Sequence, residues 1–549
     1  MNADHDLSVP PLTRSELWSL REDVIVELPP DDGSIRLRGR WGTFAIQQPS
    51  HVVREALSRM RLGPISLENV MSGRDAWATP DAQRSELQRV LTQLETLIIR
   101  SLRVESGQPL LSVVPMTAQS RFRPVPLAPD VPIRLSAYAA LRTDRDAYCL
   151  ESPLSLHRAV LHRAEAVTLL ASLASPVTPA TVAASLPSLG QLAAYGLAYL
   201  AAAGMVVQAD GAAMTSPVFA EDTSPDLAGW SPTDLMFHSV STLGRHDHDF
   251  GGTYPSGWAA PPEEVVKPQA PQSIQLHRPR WEQLREADPS LTEAIEGRRS
   301  VRRHGARPIS VTELGDLLYR TARVRSLVTV DQPGQQASGE PEAGYELSDR
   351  PYPSAGACCE LEFYATAGNC EGLDPGVYHY DPLGHRLEPV SADPAAISDI
   401  LGCAQLAAAM DAPPQVVISM TARFRRLSWK YEGLPYRLVM MHVGVLMQSL
   451  YLVCTAMRLA PCALGTVSVT AAARAFGTDW QVEPCVGQFV IGREPDASDS
   501  YSRRWRHVND AHWVDLARGA LQATTSDGQE GSNRWQGVRQ PVDRLAGRS

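Results

Sequence analysis

Apolar positions alternate at Ile35, Leu37, Trp41, Phe44 and Ile46, broken by Gly39 and Gly42, which predicts a β-hairpin with one solvent-facing side. Helical spacing follows. Val53, Ala56, Leu57 and Met60 form a stripe that stops at Gly63 and Pro64, and Leu87, Val90, Leu91, Leu94 and Ile98 repeat it. The layout returns after residue 130, with strand-like YAAL and AYCLES, a helix through Val167, Leu170 and Leu173, and a second helix ending in AAAGMVVQ. The two copies share a junction, PISLENV at 64–70 against PVTPATV at 176–182. Each has a Pro, a β-branched residue, a hydroxyl and a Val six positions after the Pro, a short echo of the kind that marks an internal repeat.

A hairpin with short helices is the layout of a winged helix-turn-helix, so two winged-helix-like modules are expected, at 1–115 and 130–212. A DNA-holding copy needs a basic recognition helix, whereas SLPSLGQLAAYGLAYLAAAG carries no charge. Acidic residues outnumber basic ones by 61 to 51, which argues against nucleic acid as a partner. Peptide capture along a strand edge remains, with pure scaffolding as the alternative. Residues 213–285 turn to Pro, Gly, Ser and His and are expected to form an irregular connector. Within it His238, His246, Asp247, His248 and Asp249 suggest a metal site, but four consecutive side chains cannot all face one ion and no helical HxxxH accompanies them. A hydrogen-bonded loop and no metal are expected.

The first residues, MNADHDLSVPPLTRSELW, lack a basic segment and an apolar core, and a cytoplasmic location is expected. The eight cysteines show no CxxC spacing and are expected to be reduced thiols. Between Arg437 and Arg458 lie twenty residues without formal charge, long enough for a membrane span. They include His442, Gln448, Ser449 and Thr455, with Arg at both ends, so the expectation is a helix at the centre of a large core or a dimer interface and no membrane.

The second half carries sharper signals. Ser290 with Glu293 and Ser310 with Glu313 form capping boxes that open two helices. Between them Arg298, Arg299, Ser300 and Arg302 form a potential anion clamp, since guanidinium forks match phosphate oxygens bidentately. Downstream come RPYPSAGA, a strand through Leu361, Phe363 and Tyr364, the hairpin PGVYHYDPLGHRLE, RFRRLSWKYEGLPYR, CALGTVSV and VGQFVIGREP. A catalytic domain over 286–510 and a disordered tail over 515–549 are expected.

These motifs, in this order, resemble the nitroreductase-like flavoproteins, and among them the SagB-type thiazoline/oxazoline dehydrogenases of ribosomal peptide maturation. The resemblance spans roughly residues 230 to 497, and the two N-terminal modules look like the leader-peptide recognition elements fused to such enzymes. The chain departs from the pattern at PSAGACCE and at His442-Val-Gly. The resemblance implies an α+β fold with a mixed sheet flanked by helices, the long apolar helix at the centre, and FMN bound at a homodimer interface. It assigns Arg298, Arg299, Ser300 and Arg302 to the phosphate and ribityl chain, Ser354 and Gly356 to the pocket, Leu464 and Gly465 to the flavin ring, and Arg493 to a second phosphate contact.

Lys430 and Tyr431 match the catalytic Lys-Tyr pair of these dehydrogenases. An azoline becomes aromatic when C4 loses a proton and C5 a hydride. An amine held among arginines and away from water is suited to take the proton, and a tyrosine hydroxyl can relay it. A turn-capping Lys and a core Tyr are the alternative. The implied partners are a precursor peptide and a cyclodehydratase. A general NAD(P)H-dependent nitroreductase, or a non-catalytic recognition protein on the same scaffold, are the competing functions.

Overall fold

The computed structural model describes residues 15–28, 33–71, 81–104, 107–255, 261–266, 272–330, 344–495 and 511–523. The chain divides into two compact units, Met1–Phe250 and Gly251–Ser549.

In the first unit six strands form one antiparallel sheet in the order Glu16–Leu20, Ile98–Arg103, Pro109–Pro115, His157–Leu161, Ala147–Glu151 and Ala140–Asp144. The two expected modules are therefore joined by backbone pairing, from Leu111 with Leu161 to Pro115 with His157. Six of the seven residues of Pro109–Pro115 are buried. A strand apolar on both faces belongs in the middle of a sheet, so it needs a partner on each edge. The junction echo is structural: Ile65 bridges to Trp18 and Val177 to Ile133, and each bridge leads into a short helix, Leu67–Met71 or Pro179–Ser185. The hairpin forms as Ile35–Gly39 and Gly42–Ile46. Helix Asp81–Gln93 ends before Leu94, and Ile98 opens a strand, where helical spacing predicted one longer helix.

The expected connector is more ordered than its composition suggested. It holds helix Pro232–Val240, and its residues up to Phe250 belong to the first unit. Asp247 is 8% exposed and pairs with Arg21 at 3.0 Å and with Arg158. Burial works against its charge, but Arg158 and Arg21 outweigh it and hold its pKa below the usual carboxylate range. That carboxylate is committed to arginines.

The second unit begins at Gly251, ahead of the expected residue 286. Its main sheet has seven strands: β1 Ile274–Gln275, β2 Leu361–Ala367, β3 Gly376–Asp381, β4 Arg386–Ser391, β5 Val416–Ala422, β6 Leu459–Leu464 and β7 Cys485–Arg493, in the order β1-β4-β3-β2-β5-β7-β6. Its pairings are antiparallel, while Ile309–Ser310 pairs parallel with Cys370–Glu371, so both senses occur in the unit.

Helices α1 Leu291–Gly297 and α2 Val311–Ala322 both open on capping boxes, at Ser290 and Ser310. Helix α3 is Pro394–Ala408, α4 Arg425–Ser428, α5 Pro435–Ala456, α6 Val469–Phe476 and α7 Ala511–Ala523. Residues 511–523 thus form a helix where the tail was expected to be disordered; 524–549 lie outside the described residues. One sheet face buries Leu361, Phe363, Ile418 and Phe489 in a core shared with α2 and α5, and the other buries Tyr364, Val417 and Val490 against α3 and α6. Alternate residues of a strand point to opposite faces, which produces the two cores. Helix α5 is long and apolar enough to cross a membrane; one face of it packs in the core, burying Val439, Val443, Leu446 and Leu450. Burying each such side chain contributes about 1.5 to 3 kcal/mol.

Candidate functional site

The PSAGACCE run folds into a tight loop in which Gly356, Ala357 and Cys359 have φ of 58°, 54° and 41°. Only glycine adopts that region freely, and each other residue there costs on the order of 1 kcal/mol. Surrounding hydrogen bonds hold the loop. The Cys359 N–H donates to Ser354 Oγ at 3.0 Å, and that hydroxyl donates to Glu360 Oε2 at 3.2 Å. The Ala355 N–H donates to Nε2 of His442 at 2.9 Å, and Nδ1 of His442 lies 2.7 Å from Glu360 Oε1. Glu360 is fully buried, and His442 stands on α5.

Lys430 and Tyr431 follow α4. A Cβ built on Gly356 would lie 2.7 Å from Lys430 Nζ and 2.7 Å from Tyr431 Oη. The loop and the Lys-Tyr pair therefore meet at a position where an added methyl would have to displace the amine and the hydroxyl. Residues 251–254 run beside the pair: Gly251 and Glu432 exchange backbone hydrogen bonds at 3.0 and 2.9 Å, and the Tyr254 N–H donates to the Lys430 carbonyl at 3.1 Å. Trp429 is buried edge-on between Tyr254 and Tyr345, with ring centroids 5.2 and 4.9 Å away. Burial, then Cys358, Tyr254 and Tyr345, push the Tyr431 hydroxyl pKa up, which favours its protonated form. From α4, buried Arg426 donates to the Cys358 carbonyl at 3.1 Å and pairs with buried Glu264, linking the Lys-Tyr segment to the loop it faces.

A second group gathers further along α5. Ser300 Oγ lies 2.6 Å from Tyr451 Oη, which accepts the Ala463 N–H at 2.8 Å, and the Arg298 guanidinium stacks over the Tyr451 ring at 5.2 Å. The Val301 N–H donates to the Pro461 carbonyl at 2.8 Å, so the RRSVR segment lies along β6. Neither Arg298 nor Arg302 is paired with a carboxylate among the described residues, and Arg302 is exposed. Arg299 pairs with Glu494 instead, and Arg493 with Glu313 at 2.6 Å.

The predicted residues thus fall into two groups. Gly356, Lys430 and Tyr431 converge, with Ser354 bracing the loop behind them. Arg298 and Ser300 form the other group at Tyr451, nine positions along α5 from His442, or about 13.5 Å of helix, with exposed Arg302 two residues beyond Ser300 in the same segment. Leu464 is 4% exposed and its side chain packs into the α3/α6 core, closed to a ligand; at Gly465 nothing lies within 4 Å of an added Cβ. Sequence reasoning missed Glu360, Arg426 and Glu264. One signal was available: of the 51 basic residues only two are lysines, Lys267 and Lys430. A chain that otherwise uses arginine has a lysine beside this loop, and an amine, unlike a guanidinium, can give up its proton.

Two family models match the chain: "Cyanobactin oxidase ThcOx" over residues 133–247 and "Nitroreductase family" over 295–493. A Methanocaldococcus jannaschii protein named as a nitroreductase is 29% identical over 181 residues, 33% of this chain and 78% of that protein. Among solved structures, the E. coli microcin synthetase McbBCD complex with truncated pro-MccB17 aligns at TM-score 0.27 and 22% identity, over 36% of this chain and 71% of that one. A nitroreductase from Desulfovibrio desulfuricans, crystallised with FMN, aligns at TM-score 0.25 and 16% identity, over 40% and 93%. The fold of the second unit is nitroreductase-like, and the family matches support an oxidoreductase.

Proposed function

We propose that the chain is an FMN-dependent dehydrogenase that oxidises thiazoline and oxazoline rings of a ribosomally made peptide to thiazole and oxazole. The observation that carries this is the meeting of Lys430 Nζ and Tyr431 Oη at Gly356. FMN, when bound, supplies the acceptor for the hydride that leaves C5. Lys430 is the base that takes the C4 proton, which completes the loss of two hydrogens from the ring. Tyr431 keeps its proton and donates a hydrogen bond to the substrate. Gly356, with no side chain, lets both groups approach the loop backbone closely.

The chain's residues fit the cofactor chemically. Arg298 and Arg302, unpaired with carboxylates among the described residues, and the Ser300 hydroxyl suit a phosphate monoester, and the open position at Gly465 suits a planar group approaching the backbone. Arg299 and Arg493, engaged by Glu494 and Glu313, brace the segments that carry them. Exposed Tyr436, Met441 and Val445 give α5 an apolar face suited to a second copy, which supports a homodimer. In the first unit Ala140–Asp144 is an outer strand with all five residues exposed, and an extended leader peptide could add to it by backbone pairing. The cyanobactin oxidase match over the same unit supports a peptide substrate. An azoline must first be made by ring-closing dehydration, so a cyclodehydratase is the natural partner, and the cytoplasm the setting.

The test is anaerobic mixing of the yellow protein with an azoline-bearing peptide, followed by flavin bleaching and a 2 Da loss from the peptide. The M. jannaschii relative favours a second reading, a small-molecule nitroreductase. Rapid bleaching by NADPH with none by the azoline peptide would select that reading.

A further inference from the structure

We propose that His442 and Glu360 are positioning residues, which set the backbone of the 354–359 loop against Lys430 and Tyr431; this rests on the function proposed above. The hydrogen-bond directions fix their roles. The Ala355 amide can only donate, so Nε2 of His442 accepts, Nδ1 carries the ring hydrogen, and Glu360 accepts it. The second oxygen of Glu360 takes the Ser354 hydroxyl, whose oxygen in turn takes the Cys359 amide. One imidazole and one carboxylate thereby hold both ends of a loop with three left-handed residues. Gly356, between those ends, is the point that faces Lys430 Nζ and Tyr431 Oη.

The pair does more than fill space. Both side chains are buried, and unpaired polar groups there cost more than an apolar replacement would. What they provide is direction: a rigid helix, α5, transmits its position to a strained loop through a single acceptor atom. Among the described residues neither side chain hydrogen-bonds or ion-pairs with Lys430 or Tyr431, so any effect on chemistry passes through the loop.

The test uses the full-length protein, three single variants of the brace, and Lys430→Ala alone and combined with His442→Leu. His442→Leu removes both hydrogen bonds at similar volume, and His442→Gln keeps a donor and an acceptor on one planar group. Ser354→Ala removes one half-buried hydroxyl, and carries the test if the leucine variant does not fold. Because the chain has two lysines, brief acetylation with acetic anhydride followed by peptide mass spectrometry gives the Lys430:Lys267 labelling ratio without any substrate. The expected result is a ratio changed by about threefold or more in His442→Leu, by less in Ser354→Ala, and restored toward wild type in His442→Gln.

With an azoline peptide, kcat should fall about 10²-fold in His442→Leu while KM stays within about twofold, as for a misplaced reacting group. Adding His442→Leu to Lys430→Ala should cost less than about threefold further, since the two act through one geometry. An unchanged labelling ratio in the folded leucine and alanine variants, or full additivity with Lys430→Ala, overturns the positioning role. A wild-type protein that binds flavin but leaves azolines untouched overturns the proposed function instead, and the labelling ratio then decides the positioning role by itself.

Discussion

Gly356 and Lys430 meet at the distance of a missing methyl group: a Cβ on Gly356 would stand 2.7 Å from Nζ. Gly356→Ala should therefore displace the amine and the Tyr431 hydroxyl together, and also place alanine in the left-handed region at a cost on the order of 1 kcal/mol. Turnover of an azoline peptide should fall about 10²-fold with flavin retained. Wild-type turnover would show that the close approach is incidental.

Lys430→Ala and Tyr431→Phe separate proton transfer from packing. Removing a general base lowers rates about 10² to 10⁴-fold, so single-turnover flavin bleaching by an azoline peptide should slow by that much in Lys430→Ala and less in Tyr431→Phe. Residual activity of Lys430→Ala should rise with pH as hydroxide takes over. Undiminished bleaching in both variants would return the pair to a structural role.

Arg298→Ala combined with Arg302→Ala should release flavin. A charge-assisted hydrogen bond contributes about 1.5 to 3 kcal/mol, so losing two weakens binding about 10² to 10⁴-fold. Arg493→Ala, which breaks the contact to Glu313, should lower the melting temperature more than flavin retention. Gel filtration followed by flavin absorbance of the protein peak distinguishes the double variant from Arg493→Ala.

A pH effect follows from a different pair. His379 on β3 lies 3.0 Å from Glu362 on β2, and both are buried. Burial opposes charge on each, yet the hydrogen bond and attraction to Glu362 raise the His379 pKa above its ordinary 6.5, while Arg423 first and His379 second lower that of Glu362. The folded protein thus holds a proton that the unfolded chain releases near pH 6.5. This stabilisation is fully present below that pH and is lost as pH rises through the elevated His379 pKa. The melting temperature should decline over that window, and His379→Gln should flatten the slope. An equal decline in the variant assigns the effect elsewhere.

Local signals were legible in the sequence because local physics decides them. The capping boxes at Ser290 and Ser310 and the apolar α5 form where the spacing predicts. Long-range pairing was not legible. Nothing near Pro109–Pro115 says that His157–Leu161, some forty residues on, will lie beside it, so two modules were expected where one sheet forms. At the site, Lys430, Tyr431 and Gly356 could be named from their motifs. Glu360 could not, because a carboxylate after two cysteines gives no sign that it will be buried under a histidine 82 residues away. Arg493 illustrates the converse: an arginine on the last strand suits an anion, and its carboxylate neighbour Glu313 is 180 residues distant in the chain.

The backbone exchange between Gly251 and Glu432 defines a seam. Residue 251 directly follows the last residue of the first unit, yet it already pairs with the segment that carries Lys430 and Tyr431. A chimera that exchanges the first unit for another protein's must therefore be joined before Gly251. A junction placed at the composition-based boundary near 286 would remove the strand partner of Lys430, Trp429's neighbour Tyr254 and Arg426's partner Glu264 together. The graft would then lose catalysis for reasons unrelated to the peptide it was built to accept.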